Sequence, residues 1–136
     1  MSQHVLLVED SPGASELLAE ALAANRFQEV LHVEHGVESG WEFLRREATS
    51  LPALILLDLK LQNSSGLLLL HRLRGDTRLK KVPVVIMTNS DDPQDIAAAY
   101  ASGANAYVVK PGTFADLVRL AGDLCHFWLA WNRIPS

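Results

Sequence analysis

The chain has 136 residues, 49% of them hydrophobic and 21% charged, with a net charge of −4. That length fits one compact domain with a real core, and no apolar run approaches the roughly 20 residues that a membrane span needs. The acidic balance argues against a surface built for nucleic-acid phosphates, and the single cysteine, Cys125, excludes an internal disulfide.

The N-terminal stretch "MSQHVLLVED" has neither a basic n-region nor a small-residue cleavage site, so the expected location is the cytoplasm. Within it "HVLLV" (4–8) reads as a first strand. "GASELLAEALAAN" (13–25) follows as a helix with Leu17, Leu18, Ala21 and Leu22 on one face, and Ser11-Pro12 supply its N-cap and first-turn proline. A second strand, "EVLHVE" (29–34), precedes a helix over "VESGWEFLRRE" (37–47) that spaces Val37, Trp41 and Leu44 at i, i+4, i+7. "ALILLD" (53–58) is apolar until its last residue, the composition of a strand buried on both faces. It ends on Asp58, a carboxylate whose burial costs several kcal/mol unless it is paired, hydrated or metal-bound.

"GLLLLHRLR" (66–74) is a short helix, and the basic run "RLKK" (Arg78 to Lys81) reads as a solvated loop. The fourth strand is "VPVVIMT" (82–88). Asp92-Pro93, with Asp95 close behind, opens a helix over "PQDIAAAYASG" (93–103) that stops at Gly103. "NAYVVK" (105–110) is the fifth strand. The last helix is "TFADLVRLAGDLCHFWLAW" (113–131), where Thr113 and Asp116 resemble a capping box. Strict alternation of strand and helix implies an α/β fold with a doubly wound five-stranded parallel sheet. No linker or repeat divides residues 1–136, so one domain is expected, with no output domain.

Ligands of such folds collect beyond the carboxyl ends of the strands. Glu9 and Asp10 follow strand one, Asp58 ends strand three, Thr88 ends strand four and Lys110 ends strand five. Each alone has an ordinary reading as a turn, cap, β-former or exposed amine, but five at successive strand ends form a pattern. Three carboxylates around one point demand a cation or a raised pKa. Mg²⁺ suits them, because it is oxygen-liganded and held by one or two carboxylates while waters and phosphate oxygens complete its shell. A carboxylate beside it can attack phosphorus, with a lysine ammonium neutralising the transferred oxygens.

These residues, with Gly66 eight places after Asp58 and the run "SGANAYVVKP" (Ser102 to Pro111), resemble a response-regulator receiver domain over essentially the whole chain. The resemblance implies the flavodoxin-like (βα)5 receiver fold and a protein that is not an enzyme. It would accept a phosphoryl group from a sensor histidine kinase on Asp58. It further implies Mg²⁺ held by Asp10, Asp58 and the backbone carbonyl of Lys60, with Glu9 acting through a water. Thr88 and Lys110 would contact phosphate, Tyr107 would turn inward on activation, and the bond before Pro111 would be cis. "LKKVPVVIMTNSDDPQDIAAAYASGANAYVVKP" and the aromatic "HFWLAW" resemble the single-domain regulators paired with bacterial and cyanobacterial phytochrome kinases.

The chain departs from that pattern in places. The usual Met-Pro after the phosphoacceptor is Leu61-Gln62, from which a looser loop is expected. Lys60 carries an ammonium where a polar residue is common, and Asn89 is bulkier than the small residue usual after Thr88. Both are candidates for tuning phosphate lifetime. In the last helix Leu117, Leu120, Leu124, Trp128 and Trp131 form one apolar stripe, suited to the core. Phe114, Val118, Ala121, Cys125 and Leu129 form a second that one sheet does not cover. Phe114, Val118, Cys125, Trp128 and Leu129 are therefore expected on a homodimer face made by the fourth helix, fifth strand and fifth helix.

Competing readings are weaker. A haloacid-dehalogenase-like phosphohydrolase needs a second acid two residues after its nucleophile, and that position is Lys60. A flavodoxin-like nucleotide binder wants a Gly- and hydroxyl-rich loop where "EDSPG" places acids. A receiver that only drains phosphate from its kinase would carry the same site.

Overall fold

Four consecutive apolar residues, Leu54–Leu57, form the central strand β3, and all four are buried because the sheet is covered on both faces. In the computed structural model, which describes residues 3–27, 31–46 and 50–135, β3 pairs in parallel with β1 (Val5–Val8) and with β4 (Val84–Thr88). Strand β2 (Leu31–Glu34) lies outside β1, and β5 (Ala106–Val109) lies outside β4. The order is β2-β1-β3-β4-β5, the expected doubly wound arrangement. Apart from β2, each strand is a residue or two shorter than its apolar run. Residues 29, 30 and 47 of the expected elements lie outside the described residues.

Alternation along the strands divides the core. Leu6, Val8, Ile55, Leu57, Val84 and Ile86 face α2 (Val37–Arg45) and α3 (Gly66–Arg74), meeting Val37, Leu44, Leu69, Leu70 and Leu73. Val5, Leu7, Leu54, Leu56, Val85 and Met87 face α1 (Pro12–Ala24) and α5 (Phe114–Cys125), meeting Leu18, Ala21, Leu22, Ala121 and Leu124. Helix α4 (Pro93–Ala101) packs beside β5 and buries only Ala99. The caps form as expected. Ser11 Oγ accepts from Ala14 N, Asp92 from Gln94 N, and Thr113 Oγ1 from Asp116 N. Among the described residues, no helix is long and apolar enough to cross a membrane.

Three expectations need correction. Leu17, placed on the buried face of α1, is 49% exposed. "RLKK" is a turn that is solvated only in part: Lys80 is exposed, but Leu79 is buried, and Arg78 donates through its guanidinium to the carbonyls of Leu44 and Arg46 at the end of α2. Arg74 has a similar task at the lower end of the sheet. It donates to the carbonyls of Gly103, Lys80 and Val82 and to Asn105 Oδ1, which also accepts from Val84 N. Gly103 has φ of 104°, and a β-carbon there would meet the Arg74 side chain at 2.9 Å, so glycine suits both the backbone and the clamp.

The third correction concerns the last helix. It packs on the sheet beside α1, where Asn25 Nδ2 bridges the carbonyls of Ala21 and Val118. Ala121, Cys125 and Leu129, assigned to an uncovered stripe, are buried in that groove, so Cys125 and Leu129 do not belong to a free dimer face. Beyond Cys125 the chain continues as a π-helix, His126–Trp131, with Asn132 N donating to Phe127 O. A turn closed by i→i+5 bonds holds more than 3.6 residues, so the stripe drifts and Trp131, expected in the core, is 78% exposed.

Burial pushes the Cys125 thiol up to about 11. At pH 8 roughly one molecule in a thousand then carries the reactive thiolate, against about a quarter for a free thiol. We expect the native protein to react with a thiol reagent at least tenfold more slowly than the urea-unfolded chain at that pH. Equal rates would contradict the buried placement.

Candidate functional site

Register brings the acids together. Val8 is paired with Leu57, so the residues that follow them, Glu9 and Asp58, leave the sheet side by side, with Asp58 N donating to Val8 O. Thr88 is paired with Val109, and Lys110 N donates to Thr88 O at 2.7 Å, which carries Lys110 to the same edge. Lys110 Nζ donates to Asp58 Oδ2 at 2.9 Å and to Glu9 Oε1. Glu9, Asp58 and Thr88 are buried, at 3%, 7% and 1% exposure, so this ammonium is what makes two adjacent carboxylates tolerable there.

The electrostatics follow from that geometry. Burial pushes the Glu9 carboxyl above its usual range, with the Asp58 charge adding and Lys110 opposing. Burial alone would lower the Lys110 ammonium, but the hydrogen bonds and charges of Glu9 and Asp58 outweigh it and raise the pKa. Asp58 Oδ1 accepts from Lys60 N at 3.1 Å, and Glu9 Oε2 from Ser11 N at 3.4 Å. Asp10 is less buried, and its Oδ2 accepts from Gln62 N at 2.7 Å. Asp10, Ser11, Lys60, Asn89 and Ser90 complete the wall of a cleft of about 390 Å³ around these groups. Gly66 lets the chain after Asp58 fold back closely: a β-carbon there would sit 2.1 Å from the Asp58 carbonyl oxygen.

All five strand-end residues therefore converge, as expected, with Lys60 and Asn89 exposed on the cleft wall. Tyr107 is half-buried and donates its hydroxyl to Ser90 O at 2.8 Å, while Ser90 Oγ donates to Asp95 Oδ2 at 2.5 Å. Two expectations fail. The Lys110–Pro111 bond is trans, the lower-energy form, and Lys110 reaches both carboxylates from it. The segment after Asp58 is not loose, because Lys60–Leu61 and Ser64–Ser65 pair as an antiparallel hairpin tied to Asp10. Sequence reasoning also missed His35, whose Nδ1 lies 2.9 Å from Glu9 O, and Ser90. His35 meets the backbone carbonyl of Glu9, and Ser90 offers its own carbonyl to Tyr107; main-chain oxygens leave no trace in a residue pattern.

Among the described residues, no three His, Cys, Asp or Glu side chains form a ready metal cage. The donor set fits a hard, partly hydrated cation instead: Glu9 is already taken by Lys110 and Ser11, while Asp10 Oδ1 has no hydrogen bond among the described residues. Replacing Lys110 with methionine leaves two buried carboxylates facing each other. We expect Lys110→Met to lose about 3 kcal/mol of stability in urea titrations with EDTA present; an unchanged midpoint would show that the pairing contributes nothing.

The sequence profile of the response regulator receiver domain matches residues 5–121 of the chain. The probable methanogenesis regulatory protein FilR2 of Methanothrix harundinacea is 33% identical over 135 residues, covering 97% of this chain and 87% of its own. Response regulator Rcp1 of Synechocystis sp. is 32% identical over 136 residues, covering 97% and 92%. Among solved structures, the phosphorylated cyanobacterial phytochrome response regulator RcpA aligns over 100% of both chains with a TM-score of 0.90 at 30% identity. The Mn(2+)-bound form of Rcp1 gives 0.87 at 31% identity, over 99% of this chain and 100% of that one.

Proposed function

The chain belongs to the response regulator receiver family, and from that premise we propose that it takes a phosphoryl group from a histidine kinase onto Asp58. Receiver domains partner with histidine kinases, and this one is homologous to phytochrome response regulators, so a phytochrome-type kinase is the proposed donor. The observation that carries the reading is the meeting of Asp58, Lys110 and Thr88 at one cleft. We place the protein in the cytoplasm, as a signalling switch and not a turnover enzyme. Its net charge of −4 makes nucleic acid an unsuitable partner.

In the proposed step an Asp58 carboxylate oxygen attacks phosphorus, the bond from phosphorus to the histidine nitrogen breaks, and an acyl phosphate forms. Asp10, Asp58 and the Lys60 carbonyl would hold Mg²⁺, with Glu9 acting through water, and the bound ion supplies charge neutralisation to the phosphoryl oxygens. Lys110 gives up part of its hold on Asp58 to reach the new phosphate, and the Thr88 hydroxyl donates to it. Tyr107 is the group placed to respond, because its hydroxyl is tied to the carbonyl of Ser90, two residues beyond Thr88.

Incubation with a small phosphodonor and Mg²⁺, followed by mass spectrometry, tests this directly. The wild type should gain one hydroxylamine-labile phosphoryl adduct that Asp58→Asn lacks, and no adduct on the wild type would refute the reading. The same time course examines Lys60 and Asn89 on the cleft wall. Lys60→Asn should change the adduct's half-life about threefold or more if the ammonium excludes or orients water; an identical half-life removes that role.

A homodimer is the proposed assembly, now on a corrected surface. Strand β5 is the sheet edge, and Tyr100, Val109 and Phe114 on α4, β5 and α5 are 50%, 42% and 45% exposed. Val118 and Trp128 are half-buried against the core and contribute only their edges. Light scattering should show a dimer that Phe114→Asp weakens; a monomer at high concentration in both phosphorylation states would remove the claim.

A further inference from the structure

The family pattern carries proline where this chain has Gln62, and the sign of φ there is the one proline needs. Gln62 and Asn63 join the two strands of the hairpin after Asp58, with a negative φ at Gln62 and φ of 61° at Asn63. That is the sign pattern of a type II turn, whose first central position favours proline. What glutamine adds is a backbone N–H, and it donates to Asp10 Oδ2 at 2.7 Å, a short charge-assisted bond.

The choice of donor matters. Lys110 supplies positive charge to Glu9 and Asp58, but among the described residues Asp10 pairs with no cation. An amide dipole fixes the direction of the Asp10 carboxylate without cancelling its charge, and Oδ1 stays free of hydrogen bonds among the described residues. A second ammonium in the same place would repel a divalent cation.

We infer that the Gln62 N–H is a positioning group for the cation site, holding Asp10 ready to ligate. The inference rests on the proposed Mg²⁺ site. It makes affinity depend on a backbone group that the usual Met-Pro turn does not possess. Partners that orient a metal ligand typically change affinity 10–100-fold when lost, and a single neutral donor belongs at the lower end.

The test compares two variants by calorimetric titration with MgCl₂ alone, without phosphodonor. Gln62→Ala keeps the N–H and should bind within twofold of wild type, whereas Gln62→Pro removes it and should bind about tenfold more weakly. If both variants bind alike, the inference is wrong while the Mg²⁺ reading stands. If the wild type binds no Mg²⁺, it is the proposed function that fails. Amide hydrogen exchange in the Mg²⁺-loaded wild type needs no variant: Gln62 N–H should exchange at least tenfold more slowly than Asn63 N–H after correction for sequence, and equal rates would overturn the inference.

Discussion

The contact of one ammonium with two buried carboxylates is the constraint on which the rest of the molecule depends. Glu9 and Asp58 are forced together by the parallel pairing of β1 with β3, and neither can turn away while its strand stays in register. Among the described residues the one cation paired with both is Lys110, which follows β5 late in the chain. Sheet order and cleft chemistry are thus one problem. An edge strand shifted by a single residue would turn the lysine to the other face and leave the two acids unbalanced.

The hydrophobic layers serve this geometry. Both faces of the sheet are packed, so the central strands have no freedom to adjust at their carboxyl ends, and the groups there are held at fixed separations. The β4–β5 side is packed more lightly, since Tyr107 is tied to Ser90 by one hydrogen bond and α4 buries only Ala99. A change of charge at Asp58 therefore meets a stiff floor and a yielding wall on the β4–β5 side.

Element identity and the strand-end residues were legible because they depend on local patterns: unbroken apolar runs, caps such as Asp92-Pro93, and acids or amines just past a strand. Helix α3 was read at its observed limits, Gly66 to Arg74, since a serine cap and a glycine bracket it. What escaped depends on backbone groups brought near by the fold. Arg74, Arg78, His35 and the Gln62 N–H all pair with main-chain or carboxylate oxygens distant in sequence. The widening of the last helix escaped for a related reason. A reading at fixed period placed Trp131 inward and left Cys125 and Leu129 outward, whereas the groove beside α1 decides both.

The Arg74 clamp has a consequence at the opposite pole from the cleft. Its partners are carbonyls and an amide oxygen, none of which gains or loses a proton at any pH where the chain is folded. In the cleft, Glu9, Asp10, Asp58, Lys60 and Lys110 carry groups that do, beside Ser11, Ala14, Thr88, Asn89 and Ser90, which do not. The clamp therefore keeps its hold through pH changes that alter the charge of the cleft at the other end of the strands.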